Sequence, residues 1–198
     1  MRNTAASRRV AIVKKLTTNM LVFMAMAVGL NFVGCFVALV LKLPVYLDSM
    51  GTLLSAVLMG PAAGAAVGGL TALINGATID PVSLYFLPVQ VVAGVSTGLL
   101  FKSGRFEGLK SVLAIVLVTL FVSVMSSVIV AFVFNGVTSS GSSLIVAVLK
   151  NSGINIVASV FSTQIITDLL DKAICFSVVF GIIKVMPVPL KNKLVKHY

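Results

Sequence analysis

From Leu16 to Leu41 the chain carries no charged residue. A helix rises 1.5 Å per residue, so about 20 apolar residues cross the ~30 Å hydrocarbon core of a bilayer. Further apolar runs follow almost without pause, and charges are confined to the short segments between them. Only 20 of the 198 residues are charged, 15 basic and 5 acidic, and 59% are hydrophobic. A soluble domain carries about a quarter charged residues and cannot bury this much apolar surface. Lipid is therefore the expected solvent, and the expected class is an all-α integral membrane protein. The first run lacks a small-residue cleavage site behind a short core, which reads as a retained helix and not a signal peptide.

Six spans are expected, near residues 16–41, 49–59, 62–77, 82–101, 111–134 and 154–186. The second and third are short for a perpendicular crossing. Residues 144–150 are too few to span and read as a surface or re-entrant helix. Pro187 and Pro189 stop the last run. The division is a basic N-terminus at 1–15, a membrane domain at 16–186 and a basic tail at 187–198. With six spans, twelve basic residues fall on the side of the termini, at the N-terminus, 102–110 and 184–196. Only Lys42 and Lys150 fall on the other side, and Lys172 lies within the last span. Basic loops stay cytoplasmic, so both termini are expected there. The net charge of +10 thus reads as topology and contact with anionic lipid, not nucleic-acid binding.

The stretch from Lys42 to Leu70, KLPVYLDSMGTLLSAVLMGPAAGAAVGGL, is the expected centre of the bundle. Glycine costs a helix in water about 1 kcal/mol relative to alanine, but in lipid small residues of both kinds let backbones touch. A polar turn with Tyr46 and Asp48 precedes this stretch. Tyr46, Asp48, Asn75, Asp80, Asn135, Asn151 and Asn155 gather at the non-cytoplasmic side, where they either meet a ligand or simply cap helices. In the last span Gln164, Asp168 and Lys172 are four apart and share a face. Ionisable groups in a membrane face a bundle interior or a cavity. Asp168 and Lys172 read as a structural ion pair, or else Gln164 and Asp168 read as the floor of a ligand pocket; Asp171 falls on another face.

Catalytic and cofactor signatures are missing from the sequence. His197 is the lone histidine, and no phosphate-cradling Gly-x-x-x-x-Gly-Lys-Ser/Thr loop occurs, so ATP hydrolysis by this chain is not expected. Cys35 and Cys175 stand alone in apolar runs without metal-ligand spacing. No metal and no cofactor are expected. The rival readings are a small membrane enzyme working through Asp48 or Asp168, and a stand-alone secondary carrier.

The segments Leu43-Pro44-Val45-Tyr46-Leu47-Asp48-Ser49-Met50-Gly51-Thr52 and Leu58-Met59-Gly60-Pro61-Ala62-Ala63-Gly64-Ala65-Ala66-Val67-Gly68-Gly69 resemble the substrate-binding S components of bacterial energy-coupling factor (ECF) transporters for vitamins. Phe86-Leu87-Pro88-Val89, Gly94, Gly98, Asp171-Lys172 and Lys184-Val185-Met186-Pro187 continue the resemblance. It implies a membrane subunit that binds one small vitamin near the outer face, under the loops after spans 1, 3 and 5. It also implies docking on a transmembrane coupling subunit driven by two cytoplasmic ATPases, and toppling in the bilayer during transport. The family's docking motif, Ala-x-x-x-Ala in span 1, finds its nearest match in Ala25 and Gly29. Carried over by place, the pocket is expected from Tyr46, Asp48, Asn75, Asn151, Asn155, Gln164 and Asp168. The branch resembled takes pantothenate, hydroxymethyl-pyrimidine, pyridoxine or related small rings. The reading leans slightly to pantothenate, whose carboxylate Lys150 or Lys172 would meet.

Overall fold

The computed structural model describes residues 17–102 and 109–195, and every regular element in them is helical. The expected basic segment at 1–15, most of the basic loop at 102–110 and the end of the tail lie outside the described residues. Eight α-helices follow in order: α1 Thr18–Val40, α2 Met50–Met59, α3 Pro61–Thr78, α4 Leu87–Lys102, α5 Leu109–Phe132, α6 Ser142–Asn151, α7 Ile156–Val185 and α8 Val188–Val195. A 3-10 turn at Pro81–Leu84 joins α3 to α4.

Among the described residues, two helices are long and apolar enough to cross a bilayer by themselves. They are α1, with mean hydropathy 2.2, and Ser111–Phe132 of α5, with 2.7. The pair α7 and α8, bent by 115°, makes a third if counted as one span. Large apolar side chains stay exposed along α1 and α5, among them Met26, Val33, Phe36, Leu113, Phe121 and Phe132. Asn31, Thr52, Ser55, Thr71, Thr97, Ser123, Ser127 and Gln164 are buried instead. This inside-out distribution suits lipid, which accepts apolar side chains outside and forces polar ones toward one another.

Local chemistry sets the helix ends. Thr17 caps α1 by accepting the Met20 amide. Gly60 adopts φ +94°, where a Cβ would be strained, and so ends α2 and admits Pro61 at the first turn of α3. The small residues of α3 and α4 then bring two backbones together. A Cβ on Gly94 would lie 2.5 Å from the Gly64 carbonyl oxygen, and Gly68 and Gly98 meet Gln90 and Pro61 with similar closeness. The two helices are antiparallel and in contact along their length.

α2 differs from the expected second span. Its 10 residues reach about 15 Å, half the bilayer core. The chain does not turn at the surface after α1. Residues 41–49 run back beside α1, so that the Leu47 carbonyl rests on Gly34 and Gly51 rests on Ala27. The turn carrying Tyr46 and Asp48 is thereby lowered into the bundle. Asn31 of α1 holds the start of α2 there. Its side-chain oxygen accepts the Gly51 amide at 2.6 Å, and its amide donates to Thr52 and Thr71, both at 2.9 Å. One side chain thus satisfies groups from three helices that lipid could not.

Candidate functional site

The descending turn, the middle of α7, the start of α4 and the second half of α5 enclose a cavity of about 40 Å³. It is lined by Tyr46, Asp48, Asp80, Val82, Ser83, Phe86, Val89, Gln90, Ala93, Val122, Ser126, Asp168 and Lys172. Asp168 and Lys172 sit roughly 18 to 24 Å along α7 from its first residue, at 1.5 Å per residue. The floor of the cavity is therefore far inside the bundle.

Three loops close its mouth. The Gly141 amide donates to the Leu43 carbonyl at 3.1 Å, and the Tyr46 hydroxyl meets Thr138 Oγ1 at 3.4 Å. Ser139 donates to Asp80 Oδ2 at 2.9 Å, tying residues 133–141 to the turn before α4. Asp80 also accepts the Val82 amide and the Ser83 hydroxyl, at 3.2 and 3.0 Å. Aromatic rings repeat the connection. Phe86 lies 6.0 Å from Tyr46 and 6.5 Å from Phe134, centroid to centroid, and Phe134 meets Tyr85 edge-on at 5.1 Å.

The floor is charged. Lys172 Nζ donates to Asp171 Oδ2 at 2.6 Å and to Ser49 Oγ at 3.0 Å. The other oxygen of Asp171 accepts the backbone amides of Tyr46 at 3.1 Å and Leu47 at 2.8 Å. Lys172 therefore pairs with Asp171, not with Asp168 one turn before it. The sequence spacing points to Asp168, but the two amides pin Asp171 with its second oxygen aimed at the ammonium. Asp171, expected on an unrelated face, is in fact the link between α7 and the descending turn. Gln90 completes this link from α4, donating to the Asp48 carbonyl at 3.2 Å while its own oxygen accepts from Thr52 at 3.5 Å.

The expected site residues separate into three groups. Tyr46, Asp48 and Asp168 line the cavity. Asn75 and Gln164 are buried close to completely but lie outside its lining, and among the described residues both Asn75 amide atoms and Gln164 Nε2 lack a hydrogen-bond partner. Asn151 and Asn155 are exposed at the α6–α7 junction, and Asn155 caps α7 by accepting the Val157 amide at 2.8 Å. The capping alternative describes Asn155, and the cavity gains nothing from it. Sequence reading passed over Gln90, Ser126 and Phe86 as lining residues, and left Asp80 open between ligand contact and helix cap. A lone amide in the apolar run of α4 was the available signal for Gln90; the serines of α5 are too common in membrane helices to signal anything.

A second feature lies on the outer face of the bundle. Ala25 and Gly29 are exposed on α1, and nothing stands within 4 Å of a Cβ built on Gly29. Gly29 borders an apolar groove of about 720 Å³ between α1 and the elbow from α7 to α8, with Met26, Val33, Ile182, Met186 and Leu190 among its walls.

Residues 19–183 match the family described as "ECF transporter, substrate-specific component". The chain belongs to this family. It is a membrane-embedded transporter subunit and not an enzyme. Among characterised proteins and solved structures, nothing matches the chain.

Proposed function

We propose that this S component captures a small water-soluble vitamin from outside a bacterial cell and releases it inward. It does so as part of an importer with a transmembrane coupling subunit and two cytoplasmic ATPases. The bundle is taken to cross the membrane six times with both termini cytoplasmic, α2 contributing a half-length crossing completed by the descending turn. The observation that carries the reading is the mixed cavity beneath loops 41–49, 79–86 and 133–141. Few polar groups set in an apolar wall are what a small-molecule site needs to fix orientation. The volume of about 40 Å³ holds only a few waters. A vitamin therefore requires the three loops to part and close over it, and their hydrogen bonds to one another are the contacts exchanged.

Docking is assigned to the face with Ala25 and Gly29. Small residues allow a partner helix to approach closely in lipid, and the adjoining apolar groove supports the assignment. No chemistry on the substrate is required. Capture depends on the loops, and delivery depends on the complex.

Mass spectrometry of small molecules held by the detergent-purified chain, followed by calorimetry, tests capture. One tightly held vitamin is expected. Reconstituted uptake is expected to need the partner ATPases; uptake by this chain alone would make it a secondary carrier, and turnover of the bound compound would make it an enzyme. The double variant Ala25→Leu/Gly29→Leu is expected to bind ligand normally and to fail to assemble with the coupling subunit. Normal assembly and transport by that variant would move docking to another face.

A further inference from the structure

We infer that the cavity takes a small ring whose polar edge donates hydrogen bonds, uncharged or cationic, and that it rejects carboxylate ligands. The inference rests on the capture reading and deepens it. Its basis is the charge and the acceptor capacity of the cavity walls. Asp48, Asp80 and Asp168 line the cavity against one cation, Lys172. That cation is already engaged, at 2.6 Å, by Asp171. Three cavity carboxylates and the paired Asp171 thus stand against one ammonium in a site partly walled by apolar side chains, where charges are weakly screened. An incoming anion would meet like charge without a cation to receive it. Lys150, the other cation a carboxylate might have used, is exposed at the end of α6 and absent from the lining.

The acceptors are also unevenly used. Asp80 is held by two hydroxyls and one amide. Asp168 is 4% exposed, faces the cavity, and receives a long hydrogen bond of 3.5 Å from Ser126. A carboxylate offers about four lone-pair sites, so Asp168 is a buried acceptor with capacity to spare. Among the other walls are Phe86, Val89, Val122 and the Tyr46 ring, which suit the faces of a flat heterocycle.

The test is calorimetric titration of the detergent-purified full chain with hydroxymethyl-pyrimidine, pyridoxine and pantothenate. Hydroxymethyl-pyrimidine or pyridoxine is expected to bind more than about tenfold tighter than pantothenate, a difference of ~1.4 kcal/mol. Asp168→Asn is expected to weaken the preferred ring by roughly 10- to 100-fold, the range for hydrogen bonds to charged groups. Asp48→Asn, at a half-buried position, gives the same readout if Asp168→Asn does not fold. Pantothenate binding as tightly as either ring overturns the inference and leaves vitamin capture standing. Unchanged ring affinity in both folded variants also overturns it. Binding of none of the three, with no co-purified small molecule, refutes the capture reading itself.

Discussion

Replacing Asp171 by asparagine removes one charge and little else. The asparagine oxygen can still accept the Tyr46 and Leu47 amides, now received by Asp171 Oδ1 at 3.1 and 2.8 Å. Lys172 loses the carboxylate at 2.6 Å and keeps the Ser49 hydroxyl. Lys172 is 5% exposed and Asp171 1%, so the ammonium has little access to bulk water. Breaking a buried pair from one side costs about 3–5 kcal/mol, because the other charge stays buried. Asp171→Asn should therefore destabilise by about 3 kcal/mol or more. Lys172→Met should cost a similar amount, leaving the carboxylates without their cation. The double variant Asp171→Asn/Lys172→Met removes both charges and should lose only about 1–2 kcal/mol, mostly from the Ser49 contact and the remaining carboxylates. Cys35 and Cys175 are 2% and 0% exposed, so thermal unfolding can be followed with a thiol-reactive dye. A double variant as unstable as the two single losses added together would show that the charges are not coupled. It would refute the view that Asp171 joins Lys172 to the descending turn.

Gly94→Val should prevent α3 and α4 from meeting. The first added carbon would lie 2.6 Å from the Ala65 backbone nitrogen, which cannot swing aside, so a loss of ~3 kcal/mol or failure to fold is expected; Gly181→Ala, with open space around it, should stay within about 0.5 kcal/mol in the same unfolding assay. Asn155→Ala should cost about 0.5–2 kcal/mol through loss of the α7 cap and leave calorimetric ligand affinity unchanged; weakened binding would bring the α6–α7 junction into the site.

Much of the helical order was legible because lipid imposes a simple rule. Backbone groups must be satisfied within each segment, so apolar runs become helices and end where Pro, Gly or charge interrupts them. The boundary at Gly60-Pro61, the long α1 and the separate short helix at 142–151 all follow from that rule. The candidate site was legible only in part. Tyr46 and Asp48 could be singled out as a polar turn between apolar runs, and Asp168 as a charge within one. Asn151 and Asn155 have the same composition signal, but capping and solvent account for them.

The sequence by itself determined that this chain is a helical membrane protein, because composition and charge placement leave no other solvent for its surface. It also determined which helices can approach closely, because small residues act wherever they fall. Only the tertiary structure decided how deep the turn at 41–49 descends and which carboxylate holds Lys172. The amide of Leu47 and the carboxylate of Asp171 are 124 positions apart. Helical spacing tells which side chains share a face, but not which face meets which loop. That choice belongs to the packing of α1, α2 and α7, where one pinned carboxylate redirects a lysine and sets the charge of the cavity beside it.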